Sequence, residues 1–299
     1  MIPYVREIDI DYGRCDQVSP LIRRVTANNP GPFTFMGTGT YIVGRGEVAV
    51  IDPGPNDPAH LEAILAAVEG ERVTHILITH HHSDHSPLAA PLKGRTGATI
   101  YGCAVAGREE EDTGEVRMEA GHDHDFSPDI GLCDGGVVLG RGWTIDAIPT
   151  PGHTSNHICY GLREENACFT GDHIMGWSTT VIAPPDGDMT DYLNSLDDIR
   201  GRKFDVLWPT HGPPIREVDA FIAAYIEHRQ ERVDQILDAL KAGPARIGEL
   251  VPRLYADVDP RLHPAAARSM LAAMIHLVRS GQLATDGAAG PDSIYRLAR

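Results

Sequence analysis

Long apolar runs, paired cysteines and basic charge are all scarce in this sequence. No stretch approaches the ~18 apolar residues that a membrane-spanning helix needs. The first residues, "MIPYVREIDIDYGRCDQ", place acids and an arginine where a secretory signal requires an unbroken apolar segment. We therefore expect a cytoplasmic protein with no membrane partner.

The five cysteines are odd in number and never form a C-x-x-C pair. This pattern argues against both a disulfide framework and a cysteine zinc knuckle. We expect buried thiols at Cys15, Cys103, Cys133, Cys159 and Cys168.

The chain carries 26 Lys and Arg against 42 Asp and Glu, for a net charge of −16. From Ile215 onward the two signs balance, so the acidic excess lies in the part before it. Nucleic acids are bound through basic surfaces, and this charge distribution disfavours them. Aromatic residues make up only 6% of the chain, which leaves few platforms for base stacking.

At 299 residues the chain is long enough for two structural units, although a single compact domain is an alternative. Before Pro214, four predicted strands each run into a polar cluster that contains His or Asp: "VTHILI", "GWTIDAIP", "ACFTG" and "FDVLWP". Enzymes commonly assemble their sites on loops at strand ends, because the sheet positions the loops rigidly.

The pattern changes after Pro214. "EVDAFIAAYIEHRQERVDQILDALKAG" predicts a long amphipathic helix, and two shorter helices and a hairpin follow it. We therefore predict a catalytic domain over residues 1–215, and a long helix with a small winged-helix-like unit over 216–299.

"THHHSDHS" at Thr79–Ser86 places four histidines and one aspartate in a single turn. Zinc binds neutral imidazole nitrogen and carboxylate oxygen, and a catalytic zinc keeps one position open. Seven candidate ligands are too many for one zinc ion but suit two: His80, His82, Asp84, His85, His153, Asp172 and His211.

The spacing T-H-x-H-x-D-H from Thr79, with P-G-H-T, G-D and H-G further on, resembles the metallo-β-lactamase superfamily. "IDPG" at Ile51–Gly54 also matches, and the resemblance covers residues ~20–215. It implies an α+β protein with a four-layer αββα fold. "TSNH", "YIEHR" and the C-terminal unit bring the chain closest to the lactamase-beta-like, endoribonuclease-type subgroup.

The resemblance implies two Zn²⁺ ions, with Mn or Fe as alternatives. One ion would be bound by His80, His82 and His153, the other by Asp84, His85 and His211, and Asp172 would bridge them. His81 falls at a variable position, so we predict that it is not a ligand. The resemblance also implies a second, catalytic role for Asp84, in holding the attacking water or moving its proton.

The roles of several further residues are also predicted from their positions. His157, His173 and His228 are candidates for contact with substrate; the alternatives are hydrogen bonding to the ligands for the first two and packing in the long helix for His228. His122 and His124 also look like metal ligands, but their loop matches none of the family's ligand positions, so we expect a solvated surface turn. Asp52 fits a role in orienting a ligand or anchoring the backbone. Gly39 stands where the subgroup commonly has Asn, which puts in doubt any substrate contact made there.

The leading hypothesis is a binuclear zinc hydrolase whose metal-bridging hydroxide attacks an ester, thioester, lactone or phosphodiester. The alternatives are a single-stranded RNA endoribonuclease and a nucleic-acid-binding regulatory module with a structural metal. The missing export signal disfavours a periplasmic β-lactamase, and the complete second ligand set disfavours a single-iron dioxygenase.

The predicted recognition helix offers only Arg268 and Arg279, so we expect a structural or substrate-lid role for the tail, not DNA binding. The partner is then a small-molecule or RNA substrate, and a homodimer is compatible with the sequence.

Overall fold

A computed structural model describes residues 2–104 and 121–298. Its first sheet has seven strands that are neighbours in chain order. They are β1 Cys15–Gln17, β2 Ile22–Thr26, β3 Gly39–Arg45, β4 Glu47–Ile51, β5 Arg72–Leu77, β6 Thr99–Gly102 and β7 Ile130–Gly131. The pairs are antiparallel as far as β4 and parallel from β4 onward, so this sheet is mixed.

Two helices lie in crossovers between parallel strands of this sheet: α1 Pro58–Ala67 between β4 and β5, and α2 Ala89–Thr96 between β5 and β6. The α1 helix begins at Pro58, and the side chain of Asp57 before it accepts a hydrogen bond from the Ala59 amide. Both helices pack on the outer face of the sheet, over buried aliphatic side chains.

The second sheet has five strands in the order β12-β11-β10-β9-β8. They are β8 Gly136–Gly140, β9 Trp143–Pro149, β10 Ile158–Leu162, β11 Ala167–Gly171 and β12 Val206–Pro209. Only β11 and β12 pair in parallel, and helix α3, Met189–Gly201, connects them. The long helix α4, Val218–Leu240, packs with α3 on the outer face of this sheet.

The two sheets face each other across a core of large, fully buried side chains, among them Tyr41, Trp143, Tyr160 and Phe169. Helices cover both outer faces. The predicted four-layer αββα arrangement is therefore confirmed.

The C-terminal unit consists of α5 Ile247–Leu254, α6 His263–Arg279 and a two-stranded wing, β13 Leu283–Thr285 and β14 Tyr295–Leu297. One hydrophobic core continues from α3 and α4 into α5 and α6. The predicted winged-helix-like unit is present. The domain boundary between residues 215 and 216 stays a prediction.

Cys103 and Cys133 form a disulfide. The prediction that every cysteine is a buried thiol is wrong for this pair, because 30 residues separate the two and no local motif marks them. Cys159 and Cys168 are buried thiols as predicted, whereas Cys15 is only half-buried. Among the described residues, no helix has both the length and the apolar character needed to cross a membrane.

Candidate metal centre

The loop Thr79–Ser86, called the histidine loop below, follows strand β5, and hydrogen bonds to Asp52 hold it in place. Asp52 follows β4 with a left-handed backbone, φ +48°, and its side chain is fully buried. One carboxylate oxygen accepts the Thr79 amide at 2.8 Å. The other accepts the hydroxyls of Thr79 and Thr210 at 2.7 and 3.1 Å and lies 2.9 Å from Nδ1 of His85. Asp52 thus has the anchoring and orienting role expected of it.

His80, His82 and His153 form a first group of possible ligands, in which one ring nitrogen of each lies within 4.8 Å of the others. Nδ1 of His82 is 2.9 Å from Nε2 of His80 and 3.2 Å from Nε2 of His153. Nδ1 of His153 lies 2.7 Å from the carbonyl oxygen of Val181. That carbonyl accepts the proton on Nδ1 and leaves the lone pair on Nε2, toward the group.

Asp84, His85 and His211 form a second group, again within 4.8 Å. Oδ2 of Asp84 lies 3.1 Å from Nε2 of His211 and 3.5 Å from Nε2 of His85. Asp172 stands between the two groups. Its Oδ1 lies 3.4 Å from Nε2 of His211, and its Oδ2 lies 3.9 Å from Nε2 of His153.

Burial lowers the pKa of His80 and His82 well below its ordinary value, so both rings are neutral, the form that binds metal. Burial also disfavours a charged His85, but Asp84 and Asp172 outweigh it and raise the pKa of His85 well above the ordinary value. Burial would raise the pKa of both carboxyl groups, but neighbouring imidazoles lower it instead. These carboxylates therefore favour a positive charge at the site.

Several buried polar atoms of the centre have no aligned hydrogen-bond partner among the described residues: Nε2 of His85, Nε2 of His211 and Oδ1 of Asp172. A buried polar group without a partner is costly, and a bound cation would satisfy all three. The donors are imidazole nitrogens and carboxylate oxygens, which suit zinc and related divalent ions.

Gly171 and Gly152, in the G-D and P-G-H-T motifs, lie so close to neighbouring residues that a side chain would not fit. A Cβ on Gly171, at φ +51°, would lie 2.6 Å from Nε2 of His157. A Cβ on Gly152, at φ +139°, would lie 2.4 Å from the backbone of Tyr192. Both positions thus need a residue that has no side chain and tolerates positive φ, next to Asp172 and His153 respectively.

The structure separates His81 from the two ligand groups. Its Nδ1 lies 2.9 Å from Oδ1 of Asn156, and its ring packs edge-on against His122 at 4.3 Å between centroids. His122 is half-buried and stacks on His82 at 5.0 Å, so the prediction of a solvated turn is wrong for it. The reason is that the segment after residue 121 pairs with the histidine loop, which the sequence does not show. His124 is exposed, as predicted.

The candidates for substrate contact lie deeper than expected. Nδ1 of His157 is 2.9 Å from the Thr150 hydroxyl, and its Nε2 accepts the Asp172 amide at 3.3 Å, so the geometry favours the hydrogen-bonding alternative. The fully buried His173 ring packs against Tyr192, and burial lowers its pKa to about 3. His228 is half-buried on α4, where burial lowers its pKa to about 4. Substrate contact by these three residues stays a prediction.

At Gly39, Arg24 occupies the space that an Asn would fill. A Cβ there would lie 2.3 Å from Nε of Arg24. Arg24 is buried, donates to the carbonyl oxygen of Gly212 at 3.0 Å and lies over the Tyr41 ring. No motif near Arg24 in the sequence indicated that its side chain would lie next to Gly212, the residue after His211.

Sequence comparisons agree with this geometry. Residues 33–211 match the family model of the metallo-beta-lactamase superfamily, and residues 247–290 match that of the beta-lactamase associated winged helix domain. Lactamase-like protein adaB of Aspergillus niger is 32% identical over 78% of this chain and 68% of its own length. Beta-lactamase-like protein 2 homolog of Caenorhabditis elegans is 31% identical over 89% and 87%. An atrochrysone carboxyl ACP thioesterase of Aspergillus chevalieri is 32% identical over 75% and 67%.

Solved structures show the same fold. A metallo-beta-lactamase family protein from Thermus thermophilus superposes with a TM-score of 0.74 at 24% identity, over 94% of this chain and 100% of its own. A beta-lactamase domain protein from Burkholderia ambifaria reaches a TM-score of 0.76 at 20% identity, over 99% and 97%. The family matches and the relatives together show that this chain is a hydrolase of the metallo-beta-lactamase superfamily and carries the winged-helix domain associated with that superfamily.

Proposed function

We propose that the protein is a binuclear zinc hydrolase that cleaves an acyl bond, with a thioester as the first substrate class to test. The observation that carries this proposal is the position of Asp172 between two ligand groups. Its Oδ1 lies 3.6 Å from Nε2 of His85, in one group, and its Oδ2 lies 3.9 Å from Nε2 of His153, in the other. A carboxylate placed in this way can bridge two ions.

Each ion then has its own set of side chains. His80, His82 and His153 would hold the first, Asp84, His85 and His211 would hold the second, and Asp172 lies within reach of both. Bound divalent ions lower the pKa of water toward ~7 and polarise the oxygen of the bond that is cleaved. The carbonyl oxygens of Val181 and Gly37, near Nδ1 of His153 and His211, keep the Nε2 lone pairs directed at the centre.

Asp84 is the residue we assign to proton transfer. Its Oδ2 lies near His211 and His85, as a ligand oxygen would. The second oxygen of the same carboxylate is then available to orient a water molecule and to pass its proton to the leaving group. The side chain is buried, which strengthens both interactions because water does not screen them.

The choice of an acyl bond rests on a relative and on charge. The Aspergillus chevalieri relative is named an atrochrysone carboxyl ACP thioesterase. A net charge of −16 disfavours a long polyanion such as RNA. In the C-terminal unit, Arg279 pairs with Asp188 at the start of α3, which supports a structural role for α6 over DNA binding. The proposed partner is therefore a small acyl substrate.

The test compares the wild type with Asp84→Asn on an acyl thioester, an aryl ester, a lactone, nitrocefin and labelled single-stranded RNA, with metal content measured in parallel. Loss of proton transfer should lower kcat on the preferred substrate by ~10²–10⁴-fold. Asp234→Asn, on the exposed face of α4, is the matched control and should keep full activity. An unchanged rate in Asp84→Asn would contradict the catalytic assignment. Cleavage of RNA alone would favour the endoribonuclease alternative.

A further inference from the structure

Among the described residues, one further group of possible metal ligands shares no residue with the candidate centre. His81, His122 and Asp186 each place one ligand atom within 4.8 Å of the other two. The three residues come from separate parts of the chain: the histidine loop, the segment after residue 121 and the loop before α3. None of them belongs to the sets assigned above, and His81 was predicted not to bind the metals of the centre.

The tautomer of His81 can be deduced from Asn156. The Asn156 amide nitrogen donates to the carbonyl oxygen of Cys103 at 2.8 Å, and its Oδ1 accepts the Thr154 hydroxyl at 2.9 Å. Oδ1 is therefore an acceptor, and Nδ1 of His81, 2.9 Å away, must donate to it. Nε2 is then the nitrogen of this ring that a metal ion would take.

Asp186 supplies the negative charge. Its Oδ1 accepts the Ser155 amide at 3.2 Å, which fixes the carboxylate against the loop that follows His153. Its Oδ2 is buried and has no hydrogen-bond partner among the residues that the structure describes. A buried carboxylate oxygen without a partner is costly, and a cation at this point would remove the cost.

His122 is held in place through its backbone. It forms a β-bridge with His82, and the amide of the next residue, Asp123, donates to the carbonyl oxygen of His81 at 2.7 Å. The centroid of its ring lies 4.3 Å from that of His81 and 5.0 Å from that of His82. The ligand atoms are thus positioned by the fold before any ion binds, which reduces the entropic cost of binding.

We propose that His81, His122 and Asp186 form a third divalent-cation site, outside the two-metal centre. Two imidazoles and one carboxylate suit Zn²⁺ and leave room for water in its tetrahedral shell. The site binds more weakly than the centre, because it has three protein ligands and the nearby ions repel another cation. An ion bound there links the histidine loop to the loop before α3.

The test is equilibrium dialysis of the folded, full-length protein against rising free zinc, with bound metal measured by mass spectrometry. Wild type should bind one more equivalent than Asp186→Asn, and one more than His81→Ala, at the same free zinc. Loss of a ligand should weaken this site by at least ~10-fold. Asp186→Asn keeps the shape of the side chain, so it serves if His81→Ala fails to fold.

The matched control is His124→Ala, which removes an exposed imidazole from the same segment as His122 and should keep the extra equivalent. The proposal is overturned if wild type and Asp186→Asn bind equal amounts, or if His124→Ala loses the equivalent as well. The readout is a difference of one equivalent, so it does not depend on how many ions the main centre holds.

Discussion

Replacing Asp52 by Asn should weaken metal binding without removing a ligand. In the wild type, Nδ1 of His85 lies 2.9 Å from Oδ2 of Asp52, so Nδ1 carries the proton and Nε2 is left to bind. An Asn amide has one oxygen and one NH₂ group. If the NH₂ group replaces Oδ2, it donates to Nδ1 and moves the ring proton to Nε2. If it replaces Oδ1, it opposes the Thr79 amide, which now donates at 2.8 Å.

The first orientation of the amide should lower the affinity for the metal, and the second should lower the free energy of unfolding. A wrong His85 tautomer should weaken the second metal by ~10–100-fold, whereas an unpaired Thr79 amide should destabilise the fold by ~1–3 kcal/mol. Isothermal titration of the metal-free protein measures the first effect, and urea unfolding measures the second. Glu165→Gln is the control, because Glu165 accepts the Leu21 amide at 2.6 Å and lies outside the candidate centre. The control should lose stability but no metal affinity. Wild-type affinity together with wild-type stability in Asp52→Asn would refute the reasoning, because each orientation of the amide loses one of the two contacts.

Three other expectations follow from single residues. His82→Ala should lose one metal of the centre, whereas His81→Ala should keep both and lose only the weaker third equivalent; equal loss at free zinc too low to fill the third site would contradict the ligand assignment. Gly152→Ala should destabilise the protein by at least ~2 kcal/mol in urea unfolding, since its Cβ would meet the Tyr192 backbone at 2.4 Å. Burial lowers the pKa of His60 from 6.5 to about 4, so the unfolded chain takes up the proton first as the pH falls. Up to ~3 kcal/mol of stability should be lost between pH 6.5 and 4, and His60→Gln should flatten that loss.

The candidate ligands could be predicted from sequence because each lies in a short motif directly after a strand. Thr79–His85 follows β5, and Asp172 and His211 follow β11 and β12. Strand ends that share an edge bring such motifs together, so the four predicted strands were enough to predict one site.

What the sequence did not indicate are contacts between segments with no motif of their own. The Cys103–Cys133 disulfide joins residues that lack any pairing signature. His122 reads as part of a polar turn until its backbone is seen to pair with His82. Asp186 stands in the loop "PPDGD", where an acidic residue is unremarkable in sequence. Each of these partners depends on how loops meet above the sheets, which periodicity does not encode.

Helix α4 forms hydrogen bonds with the loop that follows β11, and this loop lies beside the candidate metal centre. The Tyr225 hydroxyl on α4 donates to the carbonyl oxygen of Met175 at 2.7 Å, and the Arg229 guanidinium donates to that of Thr180. The Thr180 hydroxyl in turn donates to the carbonyl oxygen of Asp172 at 2.8 Å. Because α4 thereby holds the backbone of Asp172, it helps to position the candidate site. The same loop also presents the Val181 carbonyl to His153, so a shift of α4 would disturb both ligand groups at once.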